Sequence, residues 1–220
     1  MALTAHAQHQ RDVMLVRTAD GTAHRFTVEG IDYIEFDKEV VPDPHQGVNL
    51  GGTVQWAVCN IGAETPEQLG DLFSWAETEP KDDYSEENYL YFKNYAYEHI
   101  GNNISGVEKY DAATAQWGEP WRMPTLSEIR ELMTCTWEKE TLNGVAGYRV
   151  TGSNGNSIFL PAAGYQSGSE RVAVGEQGYY WSSSVNPEMP SSAYNINFKG
   201  YDAEWSASRA YGFSIRAVKD

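Results

Sequence analysis

Trp121-Arg122-Met123-Pro124-Thr125-Leu126-Ser127-Glu128-Ile129-Arg130-Glu131-Leu132-Met133 is the stretch that orders the rest of the chain. Thr125 followed three residues later by Glu128 is a capping box, in which hydroxyl and carboxylate satisfy the free N–H groups that open a helix. Leu126, Ile129, Leu132 and Met133 then recur at helical spacing and make one apolar stripe. From Tyr148 onward the pattern turns to short β segments: Tyr148-Arg149-Val150, Ser157-Ile158-Phe159-Leu160, Gly178-Tyr179-Tyr180-Trp181, Tyr194-Asn195-Ile196-Asn197-Phe198, Ala203-Glu204-Trp205 and Phe213-Ser214-Ile215-Arg216. Gly, Asn and Ser turns separate them. A helix ahead of a run of strands predicts an α+β fold with short, mostly antiparallel strands, not alternating βαβ units.

N-terminal to this stretch, Thr65-Pro66-Glu67-Gln68 carries an N-cap, a proline at the first helical position and a glutamine at the third, so a short helix is expected through Leu69, Leu72 and Phe73. Thr53-Val54-Gln55-Trp56-Ala57-Val58-Cys59 reads as a strand. Residues 81–97, acidic and rich in tyrosine without clean periodicity, read as a long surface loop with room for one helical turn. Val13-Met14-Leu15-Val16 and Phe26-Thr27-Val28 flank Asp20-Gly21, the pair favoured in hairpin turns because both central positions need positive φ. Pro42-Asp43-Pro44 breaks the pattern as a linker. The expected organisation is a tail over 1–12, a β-hairpin unit and linker over 13–45, and one larger domain over 46–220.

The chain has 220 residues, 41% hydrophobic and 13% aromatic, which supports a sizeable core and excludes intrinsic disorder. Sixteen Lys and Arg against 31 Asp and Glu leave a formal charge of −15, a field that repels phosphate backbones, so nucleic acid is not an expected partner. No apolar run approaches the ~20 residues of a membrane span, so direct membrane insertion is not expected. Ala5-His6-Ala7 before Gln8 fits the small-residue pattern of a secretory cleavage site, although no basic or apolar region precedes it; a signal-peptide remnant and an arbitrary polar start are both open. Cys59 and Cys135 have no CxxC spacing and stand either as one bridge or as two thiols.

Motifs for chemistry are scarce. GxSxG, HExxH, a P-loop and a strand-borne GxGxxG are all missing, and nothing in sequence pairs Ser182-Ser183-Ser184 with a base, so the serines read as structural or turn residues. His6 and His9 lie at helical spacing near the terminus without further ligands. Asp82, Asp83, Glu86 and Glu87 lack the spacing of an EF-hand loop and read as a solvated acidic face. No catalytic residue, metal or cofactor is therefore assigned. In the C-terminal β segments, alternation puts Tyr194, Ile196, Phe198, Ala203 and Trp205 inward and Asn195, Asn197, Asp202, Glu204 and Ser206 outward. With Tyr201 and Tyr211 nearby, that face has the composition of a recognition surface, rigid aromatics beside adaptable hydrogen-bonders. The same composition also describes an ordinary polar sheet face.

Ordered blocks carry a family resemblance. Trp56-Ala57-Val58-Cys59-Asn60-Ile61-Gly62-Ala63-Glu64-Thr65-Pro66, Gly70-Asp71-Leu72-Phe73-Ser74-Trp75-Ala76-Glu77-Thr78, Trp121-Arg122-Met123-Pro124-Thr125, Phe159-Leu160-Pro161-Ala162-Ala163-Gly164-Tyr165, Tyr180-Trp181-Ser182-Ser183-Ser184 and Gly212-Phe213-Ser214-Ile215-Arg216 resemble the Fibrobacter succinogenes major paralogous domain. The resemblance runs from about Val48 to the C-terminus. It implies a C-type-lectin-like fold with two helices, in a secreted or surface-exposed bacterial protein of the extracellular space, cell surface or periplasm. The hairpin region is similar to β modules that precede such domains in envelope proteins.

Two related branches are disfavoured. Formylglycine-generating enzymes need two reactive cysteines in the C-terminal part, which this chain lacks. Calcium-dependent lectins carry Glu-Pro-Asn or Gln-Pro-Asp with Trp-Asn-Asp, and none of these triplets occurs. The layout better resembles the variable proteins of diversity-generating retroelements, in which a fixed scaffold displays changeable side chains near the C-terminus. The candidate ligand-binding residues are Asn195, Asn197, Tyr201, Asp202, Glu204, Ser206, Ser208 and Tyr211, with Trp181, Trp205 and Phe213 as scaffold. The expectation is an adhesin-like, non-enzymatic module binding a protein or glycan; the alternative is a structural or assembly module of the bacterial envelope.

Overall fold

The computed structural model describes the strands Val13–Arg17 and Ala23–Thr27, Asp43, residues 45–198 and residues 205–220. The chain divides into two units, residues 1–40 and 41–220. In the first, β1 (Val13–Arg17) and β2 (Ala23–Thr27) pair antiparallel from Val13↔Thr27 to Arg17↔Ala23. This is the expected hairpin; the Asp20-Gly21 turn and the tail over 1–12 lie outside the described residues.

In the second unit the described elements follow in order as β3 (Gly47–Asn49), β4 (Gln55–Ala57), β5 (Phe92–Lys93), β6 (Ala96–Tyr97), α1 (Ala112–Trp117), α2 (Leu126–Met133), β7 (Thr136–Leu142), β8 (Val145–Thr151) and β9 (Ser157–Pro161). Then come β10 (Tyr165–Ser167), β11 (Glu170–Val172), β12 (Tyr179–Val185), β13 (Ser192–Asn197), β14 (Trp205–Ser208) and β15 (Val218–Lys219). Small antiparallel sheets are ordered β15-β4-β3, β7-β8-β9 and β12-β13-β14, with the hairpins β5-β6 and β10-β11 beside them. The described fold is α+β, with two helices among many short strands.

The capping box at α2 forms as its sequence requires: Thr125 Oγ1 accepts from Glu128 N at 3.3 Å and Glu128 Oε2 accepts from Thr125 N at 2.7 Å. Arg122 grips the same Glu128 carboxylate with both guanidinium nitrogens at 2.9 and 2.7 Å. Burial alone would raise the Glu128 pKa, but Arg122 and the Thr125 N–H outweigh it and hold it below the ordinary value. The other helix is not the expected one. Residues 65–68 close only a single turn, Gln68 N to Thr65 O at 3.2 Å, and the chain swings away at Gly70, where a Cβ would meet Ile61 O at 2.4 Å. Leu72 and Phe73 continue extended, Phe73 bridging to Phe213. The first helix is instead α1, opened by Asp111, whose carboxylate accepts from the N–H groups of Thr114, Gly106 and Met123 at 2.7 to 3.1 Å.

Two apolar clusters form the core. One gathers Trp75, Trp181, Phe213, Ile104 and Met123; the other Leu50, Trp56, Ile129, Leu160, Ile196 and Phe198. Strands β12 and β13 separate them: Tyr180 and Ile196 face the second cluster, Trp181, Val185 and Ala193 the first. Two tryptophans lock the first cluster to neighbouring backbone, Trp181 Nε1 donating to Phe73 O at 2.7 Å and Trp75 Nε1 to Ser182 O at 3.0 Å. The segment Phe213–Arg216, expected as a strand, is extended but bound piecewise, Phe213 against Phe73 and Ser214 against Tyr180 in isolated bridges. Arg216 at its end is 1% exposed and donates to Asn60 Oδ1 and to the carbonyls of Ala57, Val58 and Phe159, at 2.8 to 3.0 Å.

Two expectations follow. Replacing Arg216→Met orphans those buried acceptors and lowers unfolding free energy by on the order of 3 kcal/mol or more in denaturant titration, since hydrogen bonds to a charged group contribute ~1.5–3 kcal/mol each and are not additive. Glu128 has a depressed folded-state pKa, so the stability from its pair with Arg122 is complete above the unfolded value near 4.5 and is lost as pH falls through the lower folded value. Wild type should therefore exceed Glu128→Gln by about 1–3 kcal/mol at pH 7, and the gap should close in strong acid.

Candidate functional site

Strand β13 is central in its sheet, and this decides where the predicted residues lie. Asn195 is 2% and Asn197 6% exposed, so both outward assignments are corrected: the strand is covered on both faces. Asn195 Nδ2 donates to Trp205 O at 3.1 Å and acts as an internal clamp to the next strand. Tyr194, expected inside, is half-buried; it pairs in register with Ser206, and Asn186 joins them, donating to Ser206 Oγ at 3.0 Å. Trp205, expected as scaffold, is 57% exposed. Trp181 and Phe213 are buried as expected and stack with ring centroids 4.2 Å apart.

Of the remaining candidates, Ser206, Ser208 and Tyr211 are half-buried. Tyr211 leans on the rings of Tyr165 and Phe213 and is partly a core residue. Tyr201, Asp202 and Glu204, like Ala203, lie outside the described residues. The structure thus groups Ser206 with Tyr194 and Asn186 on one side of β14, while Trp205, the preceding residue in the strand, points to the other side.

The acidic, tyrosine-rich stretch 81–97 supplies the neighbouring surface, and it is less loop-like than expected. Tyr84 and Tyr89 are buried and donate their hydroxyls to Leu72 O and Trp75 O, leaving the carboxylates outside. The chain then forms the β5-β6 hairpin, and Tyr97 of β6 touches Ser208 of β14, Oη to Oγ at 3.0 Å. Tyr97 also donates to the Glu86 carboxylate. Burial first, and then Glu86, push the Tyr97 hydroxyl up to about 12, so it remains a donor throughout the neutral range.

Arg209 holds this surface from beneath. It is 1% exposed, with its guanidinium over the rings of Trp75, Tyr89 and Tyr97 at 4.8, 5.4 and 5.6 Å. Its Nε donates to Tyr89 Oη at 3.0 Å, and Nη1 to Glu98 O and Pro190 O at 3.0 and 3.1 Å. Three surface segments are tied by one cation: residues 86–89, the β5-β6 hairpin, and the turn over 186–191. Nη2 is buried without a hydrogen-bond partner.

No family model matches the chain, and neither the curated proteins nor the solved structures include a match.

The other features bind inward. Ser182 to Ser184 lie in β12 rather than in a turn; Ser182 Oγ donates to Tyr194 O at 2.9 Å and Ser184 Oγ accepts from Leu126 N at 3.2 Å. Asp83 and Glu86 of the acidic cluster are engaged by Ser85 N and Tyr97, and among the described residues no three His, Cys, Asp or Glu are grouped to hold a metal ion. Also among the described residues, no helix is long and apolar enough to cross a membrane. A cleft of about 710 Å³ opens beside α2, lined by Leu50, Thr53, Trp56, Glu131, Cys135 and Ser153, with Glu131 held by the Thr53 N–H and hydroxyl at 3.0 and 2.8 Å.

Cys59 and Cys135 are unbridged, which settles that alternative. Burial pushes the Cys59 thiol up to about 11 and also raises Cys135, so both are poor nucleophiles. Native protein at neutral pH should label slowly at Cys135 and not at Cys59, whereas unreduced protein in denaturant should titrate two thiols. Finding no thiols in denaturant would reverse the assignment.

Proposed function

We propose that this chain is a non-enzymatic binding module, secreted or held at a bacterial surface, which takes a protein or glycan ligand on the face built by β14, the β5-β6 hairpin and the turn over 186–191. The observation that carries the reading is the run of exposed or half-exposed aromatic and hydrogen-bonding side chains on these segments (Trp205, Ser206 and Ser208 of β14, Tyr95 and Tyr97 of the hairpin) beside a scaffold whose own polar groups are turned inward. Rigid rings interleaved with short polar side chains are the composition of adaptable recognition surfaces. The resemblance of the ordered sequence blocks to the Fibrobacter succinogenes major paralogous domain supports a C-type-lectin-like fold for residues 46–220, and the α+β class is compatible with it. The serine run supports a non-enzymatic reading, because Ser182 and Ser184 spend their hydroxyls on backbone.

Trp205→Ala and Ser208→Lys should abolish capture of a ligand selected from arrays of surface proteins and glycans, while unfolding free energy stays within ~0.5–1 kcal/mol of wild type. Undiminished capture by both variants removes this face as the binding site. The retroelement reading adds a population test: sequencing residues 180–216 across source cells should find substitutions at Tyr201, Asp202, Glu204, Ser206 and Ser208, with Trp181, Asn195, Phe213 and Arg216 invariant. A uniform segment leaves a fixed adhesin.

A further inference from the structure

We infer that the cleft beside α2 is a separate small-molecule site, which takes an organic ammonium ion, a primary amine on a short apolar body, with Glu131 as its counter-charge. None of its lining residues belongs to the face proposed above, and the inference stands without that reading.

The walls of the cleft are fixed at both ends of one short segment. Asn154 and Asn156 each donate through Nδ2 to Asn49 O at 2.9 Å, and Glu131 Oε2 accepts from Thr53 N and Thr53 Oγ1 at 3.0 and 2.8 Å. Two glycines let the pieces meet: a Cβ at Gly152 would lie 1.9 Å from Leu50 O, and one at Gly52 would lie 2.9 Å from Glu131 Oε2. The space between these walls is therefore built by the fold itself. Its volume, about 710 Å³, falls within the roughly 300–1,000 Å³ of small-ligand sites.

The lining is one-sided in charge. Leu50, Trp56 and Leu132 close the floor as members of the second apolar cluster, with Cys135 half-buried beside them. Thr136 and Thr151, opposite each other in the β7-β8 register, add methyl and hydroxyl groups. Among the described residues that line the cleft, Glu131 is the only acid and there is no Lys, Arg or His; Arg130, its neighbour in α2, is not part of the lining. Thr53 fixes the carboxylate in place without neutralising it, and Oε1 has no hydrogen-bond partner among the described residues. Glu131 also stands in the last turn of α2, where the helix dipole disfavours a carboxylate and favours a cation. A positively charged head beside Oε1 satisfies both.

Other ligand classes fit less well. An anion meets Glu131 and a formal chain charge of −15. A sugar gains from stacking on an open ring, and Trp56 is only 4% exposed. A calcium ion needs several oxygen ligands, and among the described residues no three His, Cys, Asp or Glu come together.

Cys135 lines the cleft, so its accessibility reports occupancy. The full chain is labelled with a neutral, thiol-specific methanethiosulfonate reagent in rising concentrations of hexylamine, hexanol or hexanoate, which share one body and differ in the head; buried Cys59 stays unlabelled as long as the fold is closed. Hexylamine should slow Cys135 labelling in a saturable manner, and the other two should need at least about tenfold more, for want of a charge-assisted hydrogen bond. Glu131→Gln keeps an acceptor for Thr53 and should raise the hexylamine requirement about tenfold with little change in the denaturant midpoint. Glu170→Gln, which removes a charge of the same sign from β11, should not. Equal protection by hexylamine and hexanol, or equal effects of the two substitutions, would overturn the ammonium ligand. No protection by any of the three compounds would overturn the cleft as a site. Trp205→Ala should leave the hexylamine response intact, and its loss there would overturn the separateness of the two sites.

Discussion

A buried guanidinium with no carboxylate beside it closes this fold. Arg216 takes its partners from the end of β4, from the turn that follows it and from β9, strands that belong to different sheets. An ion pair at this site would need one carboxylate placed with high accuracy in a dry interior; several carbonyl acceptors spread the requirement over backbone that is already in place. Burial lowers the affinity of Arg216 for its proton, but a guanidinium starts so high that the charge persists. Everything from Phe213 to Val218 is buried around it. The scaffold therefore reclaims the last residues of the chain, and the part free to face a partner ends near Ser208.

The second constraint is the pair β12-β13 between two apolar clusters. A strand with a core on each side has no solvent face, so its polar residues must be satisfied internally. Asn195 and Ser182 meet this with bonds to neighbouring carbonyls. It is also why alternation misleads here: a polar-apolar-polar pattern predicts an outward polar face only where one side of the sheet meets water. Asn195 and Asn197 look like surface residues and are interior joints, while Trp205, on the outer strand, looks like core and is exposed.

Elements with strong local causes were legible. The capping box announced α2, Asp-Gly announced the β1-β2 hairpin, and β8, β9, β12 and β13 were visible through their apolar runs, whereas β10 and β11 were not. The helix expected after Thr65 failed because Gly70 packs against the Ile61 carbonyl, a tertiary contact that propensity does not contain. Helix α1 escaped because six residues are too few to show a period, although Asp111 and Gly118 mark its ends. Of the residues on the proposed face, Ser206 and Ser208 were already candidates in the sequence. Tyr97 was not, because its link to Ser208 spans more than a hundred residues of chain, and the turn over 186–191 escaped because Arg209, which holds it, gave no sign of its role in the sequence. The visible clue was the density of acids and tyrosines over 81–97.

Arg209 ties two of its segments through the main-chain carbonyls of Glu98 and Pro190, and reaches the third through the Tyr89 side chain. The carbonyls of Glu98 and Pro190 are the same whatever residue occupies either place or stands beside it. Anchorage and display are thereby assigned to different atoms. Such a surface can be rewritten one residue at a time without loosening what holds it, which gives selection a broad set of neutral steps from one ligand to another on an unchanged frame.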